Sequence, residues 1–207
     1  MKKSNTACYV TCLFMACTWL CFAACTNPMP VTVQMAKSQI VEQPATVVND
    51  SVQVKKSIVD FLKWYKVNLN KANNFPILVK DSCGNYEVSK KAYKDYLNYL
   101  LSSKLVSTRY AGYWETYFKD KANELKDNPI QSDVPEGFDF DFILITQEPE
   151  LILNRIDRMK LNIVSMSDSV AMVSLKIPND DTIEYEFEMY KSKAGWQIGY
   201  IATPNYD

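Results

Sequence analysis

No histidine occurs anywhere in the 207 residues. That excludes Ser-His-Asp and Cys-His catalysis, histidine-ligated zinc and histidine pH sensing. An enzyme built on this chain would have to work with carboxylates, Tyr, Lys or Cys. Cysteine is nearly missing from the folded part as well. Of six cysteines, five lie at or before Cys25 and only Cys83 follows, so no internal disulfide can form there. Cys83 sits in the turn-like stretch Asp81-Ser82-Cys83-Gly84-Asn85. With no histidine as base it reads as a packed or half-exposed thiol rather than a nucleophile. A basic excess is also lacking: 23 basic residues stand against 24 acidic ones, net −1. Phosphate binding needs a basic face, so nucleic acid is not an expected partner. There is no internal repeat and no low-complexity tract.

What the chain does carry at its start is an address. Lys2 and Lys3 precede an uncharged run from Ser4 to Cys25, apolar from Ala7 onward. A basic start, an apolar core and small residues before a break form a secretory signal. Phe22-Ala23-Ala24-Cys25 closes it and resembles a bacterial lipobox, which implies acylation of Cys25. Phe14-Met15-Ala16-Cys17 is a poorer second candidate, with a short apolar core and a bulky Met15. An ordinary signal peptide or an uncleaved anchor stays open as the alternative, because about 20 apolar residues can span a bilayer. Residues 1–24 are thus the expected lipoprotein signal peptide. Removing them takes away Lys2 and Lys3 and no acid, so the net charge falls from −1 to −3. Residues 25–49, with Pro28, Pro30, Pro44 and little charge, read as a flexible tether.

Helical periodicity follows. A first helix is expected from Asp50, with Asp50 and Gln53 resembling a capping box. Val54, Ile58, Phe61, Leu62, Tyr65 and Leu69 form one stripe, and Asn73-Asn74-Phe75-Pro76 ends the helix. A short extended piece, Ile77-Leu78-Val79, comes next. Ser89 opens a second helix with Tyr93, Tyr96, Leu97, Leu100 and Leu101 on its buried face. Ser107 caps a third, in which Tyr110, Trp114, Tyr117, Phe118 and Leu125 share a side. Gly112 inside it costs about 1 kcal/mol relative to Ala, so it should either bend the helix or admit a close neighbour.

At Phe138-Asp139-Phe140-Asp141-Phe142 the pattern changes to alternation. Residues 138–147 are expected to form the first long strand, with the phenylalanines on one face and both aspartates on the other. Three further alternating runs, Met159 to Ile163, Ala171 to Ile177 and Ile183 to Met189, and a last one at Trp196, Ile198 and Tyr200, read as a meander of hairpins. Helices first and an antiparallel meander after them give an α+β domain over residues 50–203, of three main helices packed on a sheet of at least four strands, with a short tail at 204–207.

Three segments carry a family likeness: Phe61-Leu62-Lys63-Trp64-Tyr65, Asp141 through Gln147-Glu148, and Gly195-Trp196-Gln197-Ile198. Over roughly residues 54–203 the chain resembles an uncharacterised family of small bacterial envelope proteins. That family falls in the nuclear-transport-factor-two-like, or cystatin-like roll, superfamily. Phe142 and Glu148 stand where the family pattern has Pro and Asp. The resemblance implies a curved antiparallel sheet wrapped around helices, with a cone-shaped pocket between them. Isomerases, dehydratases and plain binding modules all use that fold, so fold alone decides no activity.

Several groups are candidates for chemistry. Asp139 and Asp141 are a carboxylate pair. If Asp141 faced a pocket it could serve as a base, with Tyr110 or Tyr113 as acid or oxyanion donor; if the phenylalanines face the core, both aspartates face water. Glu184, Glu186 and Glu188 form an acidic ladder, read as a solvated sheet face partly neutralised by Lys176 and Lys191 rather than a cation site. Trp64, Tyr113 and Trp114, with Asp139 and Asp141, are the candidate binding residues, because Trp64 and Tyr113 lie off the main stripes. Thirteen tyrosines are many, and their simplest use is at core edges with the hydroxyl outward. No metal and no cofactor is expected. The functional expectation is a non-enzymatic binding or interaction domain for an envelope protein or small ligand. It would be tied by lipid to the outer membrane and face the periplasm. A histidine-free acid–base enzyme is the alternative.

The address is directly testable. Each buried methylene of a lipid chain contributes about 0.8 kcal/mol to membrane attachment, so Cys25→Ser should move the protein from the membrane to the soluble fraction of cells. A variant that stays with the membranes after its signal segment is removed would refute lipidation.

Overall fold

The helices stand first in the chain and the main sheet last, as the change of period requires. A computed structural model describes residues 45–178 and 180–203; Cys25, the signal segment, most of the tether and the 204–207 tail lie outside them. Helix α1 runs Ala45–Asn73, α2 Lys90–Ser102, α3 Thr108–Asp127 and the short α4 Pro149–Leu153. A ribbon of β1 (Leu78–Lys80) and β2 (Tyr86–Val88) joins α1 to α2. The main sheet is an antiparallel meander in the order β3 (Lys160–Met166), β4 (Val170–Ile177), β5 (Asp180–Ser192), β6 (Gly195–Ala202). The protein is therefore α+β, with helices and a four-stranded antiparallel sheet.

Each helix follows from its stripe. Val54, Ile58, Phe61, Leu62, Tyr65, Leu69 and Ala72 of α1 are buried at helical spacing. Ser89 and Ser107 cap α2 and α3, accepting from the N–H of Ala92 (3.3 Å) and Tyr110 (3.4 Å). From the sheet, Val173, Leu175, Tyr185, Phe187, Met189, Trp196 and Ile198 complete one core with the helices. Burying a side chain such as Phe61, Phe118 or Phe187 fully contributes about 1.5–3 kcal/mol each. The β6 edge is covered, since Ile198 N–H donates to Leu105 (2.9 Å) and Ser107 N–H to Ile198 (2.8 Å). The β3 edge is broken by a register shift between Ile163 and Ser165, which turns Val164 outward.

Four expectations need correction. Helix α1 opens at Ala45, before Asp50. Asp50 is thus no cap: its carboxylate takes Lys191 Nζ (2.7 Å) and Trp196 Nε1 (3.4 Å), tying α1 to the β5–β6 hairpin. Lys191 is spent there and does not neutralise the glutamate ladder, whereas Lys176 does pair with Glu184 (3.0 Å). Gly112 has open space where a Cβ would stand, which rules out the close neighbour of the two expected roles.

The fourth correction is the largest. Residues 138–147 are not a strand. They form a wound loop whose ladder is a single bridge between Asp141 and Thr146. The reason is local. Asp141 Oδ1 accepts the N–H groups of Ile143 (3.0 Å) and Leu144 (2.8 Å), and the Asp141 carbonyl accepts from Ile145 N–H (2.7 Å). Ile145 takes a left-handed φ of 49° to close the turn. An aspartate that satisfies the next backbone donors removes them from any strand ladder.

Candidate functional site

Three tyrosine hydroxyls from three elements hold this loop. From α3, Tyr117 donates to the Gly137 carbonyl at 2.8 Å. From α1, Tyr65 donates to Asp141 Oδ2. From β5, Tyr185 donates to the Leu144 carbonyl at 2.6 Å. Gly137 has φ +89°, and a Cβ there would lie 2.2 Å from the Tyr117 hydroxyl, so only glycine fits. Ile143 and Leu144 plug the core beneath, and Phe142 packs edge-on against Trp114 (5.4 Å between centroids), Phe118 (5.1 Å) and Tyr96 (6.1 Å).

Above the loop is a cleft of about 430 Å³, bounded by the end of α1, by β1 and by the loop itself. Phe75, Phe138, Phe140 and Phe142 give it half-buried rings, Asn73, Asp139, Thr146 and Gln147 its polar side chains, and Asp141 borders it. Asp139 is exposed and accepts from Gln147 Nε2 at 3.3 Å. The lining contains no lysine or arginine.

Asp141 is 7 % exposed. Burial pushes its carboxyl above the usual carboxylate range, although the hydrogen bonds from Tyr65, Leu144 and Ile143 pull the other way. Burial, with the Asp141 charge second, raises the Tyr65 phenol as well, so Tyr65 stays protonated and donates. This is a buried carboxylate beside a tyrosine hydroxyl, the arrangement that acid–base chemistry requires. However, both carboxylate oxygens are already engaged, one by two backbone N–H groups and the other by Tyr65. What the arrangement visibly does is cap a turn.

The structure separates the other candidates. Asp139 and Asp141 do border one cleft, but only Asp139 faces water. Neither expected partner hydrogen-bonds to Asp141, although its charge, after burial, helps to raise the Tyr110 phenol. Tyr110 is buried with no hydrogen-bond partner on its hydroxyl among the described residues. Tyr113 lies elsewhere, 45 % exposed, edge-on to Tyr200 at 4.8 Å, where burial and Tyr200 push its phenol up to about 12. Trp114 is core, and Trp64 is half-buried against Tyr99 at 5.5 Å. The five proposed binding residues therefore do not form one site. Cys83 is exposed in its turn, and Asp81 Oδ1 accepts its N–H at 2.7 Å. Among the described residues no group of three Cys, Asp or Glu could hold a metal ion, and no helix is long and apolar enough to cross a membrane. Sequence reasoning missed Tyr65 and Tyr185 as loop clamps. The available signal was weak: a tyrosine centred in an apolar stripe usually places its hydroxyl on some buried acceptor, though Tyr110 does not.

No protein family, curated protein or solved structure matches this chain.

The roles assigned to Asp141 and Tyr65 set stability and its pH dependence. Tyr65→Phe leaves a buried carboxylate short of a donor and should cost about 1–3 kcal/mol, and Asp141→Ala, which strands three donors, about 3 kcal/mol. The native Asp141 value lies above the unfolded one, so the native state holds the proton more tightly. Its stabilising effect is complete below the unfolded value and is lost as pH rises through the raised native value. Asp141→Asn lacks this titration. In urea denaturation, wild type should therefore gain stability relative to Asp141→Asn as pH falls through that window. A constant or shrinking difference would contradict the raised carboxyl.

Proposed function

We propose that the chain is an envelope lipoprotein whose folded domain is a non-enzymatic binding module, with the phenylalanine-lined cleft as its binding site. The observation that carries this reading is the cleft itself. Its floor is a loop fixed by three tyrosine hydroxyls and by Asp141, so the apolar rings that line it are held in place by the fold itself. A preformed, mostly apolar concavity of this size with a few polar groups is the usual form of a binding site, and preorganisation lowers the ordering cost of association. The lipobox-like Phe22-Ala23-Ala24-Cys25 supports anchoring at Cys25. Thr26 and Asn27 after it are not acidic, which by resemblance to known sorting signals favours the outer membrane, facing the periplasm. A cystatin-like roll would suit both halves of the reading.

One observation favours a second reading, an acid–base enzyme working with Asp141 and Tyr65: the carboxyl is raised by burial next to a phenol. Its engaged oxygens speak for the binding module.

A photo-crosslinking residue placed at Phe140 in cells should give discrete adducts. The same residue at Val164, on the bulged edge strand and 65 % exposed, should not. Equal labelling from both positions, or none from Phe140, would overturn the cleft as the site.

A further inference from the structure

We infer that the cleft receives a lysine- or arginine-bearing polypeptide segment of another envelope protein, laid along the outer edge of β1. This rests on the binding reading above and names the occupant's chemistry.

Charge is the first argument. From Asp127 to Asn154 the chain has no basic residue, while Asp133, Glu136, Asp139, Asp141, Glu148 and Glu150 all fall in that stretch. The stretch supplies the loop wall of the cleft. Among the described residues, Asp133, Glu136, Asp139, Glu148 and Glu150 form no ion pair. Of the nearby cations only Lys121 is neutralised, by Glu124 (2.9 Å); Lys80 Nζ is held on the Gln131 carbonyl (2.8 Å) and Lys71 over the Tyr99 ring (4.4 Å to its centre), both outside the cleft lining. Of the acids in that stretch, Asp139 and Asp141 line the cleft, and Asp139 is the one that is exposed and free of cations, in a lining with no lysine or arginine, which favours a cation over an acid.

The rings decide what kind of cation. Phe75, Phe138, Phe140 and Phe142 offer apolar faces beside Asp139. A bare hydrated metal ion gains nothing from them. A lysine or arginine side chain does, because its methylene stem lies on apolar surface while its head reaches a carboxylate or a ring face.

The backbone argues for a polypeptide over a small amine. In the β1–β2 ribbon, Ser89 N–H donates to Ile77 (2.8 Å) and Asp81 N–H to Asn85 (2.8 Å), which marks the hydrogen-bonded pairs. By antiparallel alternation, the N–H and C=O of Leu78 and Lys80 turn to the outer side of β1. β1 is an edge strand in a sheet of order β1-β2, and Leu78 also lines the cleft. An extended segment can pair with that edge and place alternate side chains over the rings, the recognition mode of strand addition.

The test uses the full chain in detergent and fluorescence anisotropy of a labelled, alternating lysine–leucine peptide. A glutamate–leucine peptide of equal length is the charge control, and n-butylammonium is the small-amine competitor. The lysine peptide should bind at least about tenfold tighter than the glutamate one. The double variant Glu136→Gln with Asp139→Asn should weaken it about tenfold, whereas Glu186→Gln on the exposed sheet face should not change it. Equal binding of the two peptides, no binding of either, or an equal loss from Glu186→Gln would overturn the cationic occupant. Competition by n-butylammonium at the peptide's own concentration would overturn the polypeptide. If Phe140 crosslinks in cells and the lysine peptide fails, the binding reading stands and only this inference falls.

Discussion

The hydrogen bond from the Tyr65 hydroxyl to Asp141 is the contact on which the rest of the site depends. It joins the last third of the first helix to a loop 76 residues away. It also uses one carboxylate oxygen, leaving the other to gather the N–H groups of Ile143 and Leu144. A buried carboxylate is costly unless its oxygens are satisfied. Here the acceptors are satisfied by groups that must be wound into a turn to reach them, so the electrostatic requirement sets the backbone path. Tyr117 and Tyr185 then fix the two flanks through carbonyls.

The aromatic packing follows from that path. With the loop wound, Phe142 points down against Trp114, Phe118 and Tyr96, while Phe138 and Phe140 flank it at 6.1 and 5.8 Å. Edge-on ring contacts of this kind add about 0.5–1.5 kcal/mol each beyond burial. A straight strand would put all three rings on one face and press them into the sheet. The wound loop leaves their outer sides as one wall of the cleft, opposite Phe75 and β1. Unbalanced acidity comes with the same segment, so shape and charge share one origin.

The fold was legible wherever a local period governs. The α1 stripe from Val54 to Leu69, the serine caps at Ser89 and Ser107, and the hairpins from Met159 to Tyr200 all depend on neighbours within a few residues. The site was less legible. Phe138-Asp139-Phe140-Asp141-Phe142 alternates as well as any true strand, and nothing local states that Asp141 will cap its own turn. Its donor is a tyrosine whose place in an apolar stripe suggests packing alone. Asp50 misled in the same manner: next to Gln53 it resembles a cap, yet its carboxylate serves Lys191 and Trp196 far along the chain. Side chains that work through distant partners leave no periodic trace.

The proposed binding role rests on a loop as rigid as the core. Amide hydrogen exchange at Ile143 and Leu144 tests this most directly, because their N–H groups are the ones Asp141 holds. The account requires both amides to exchange only through global unfolding, with protection matching that of Val173 and Phe187 in the sheet. Exchange at the rate of an open loop, while those sheet amides remain protected, would contradict it.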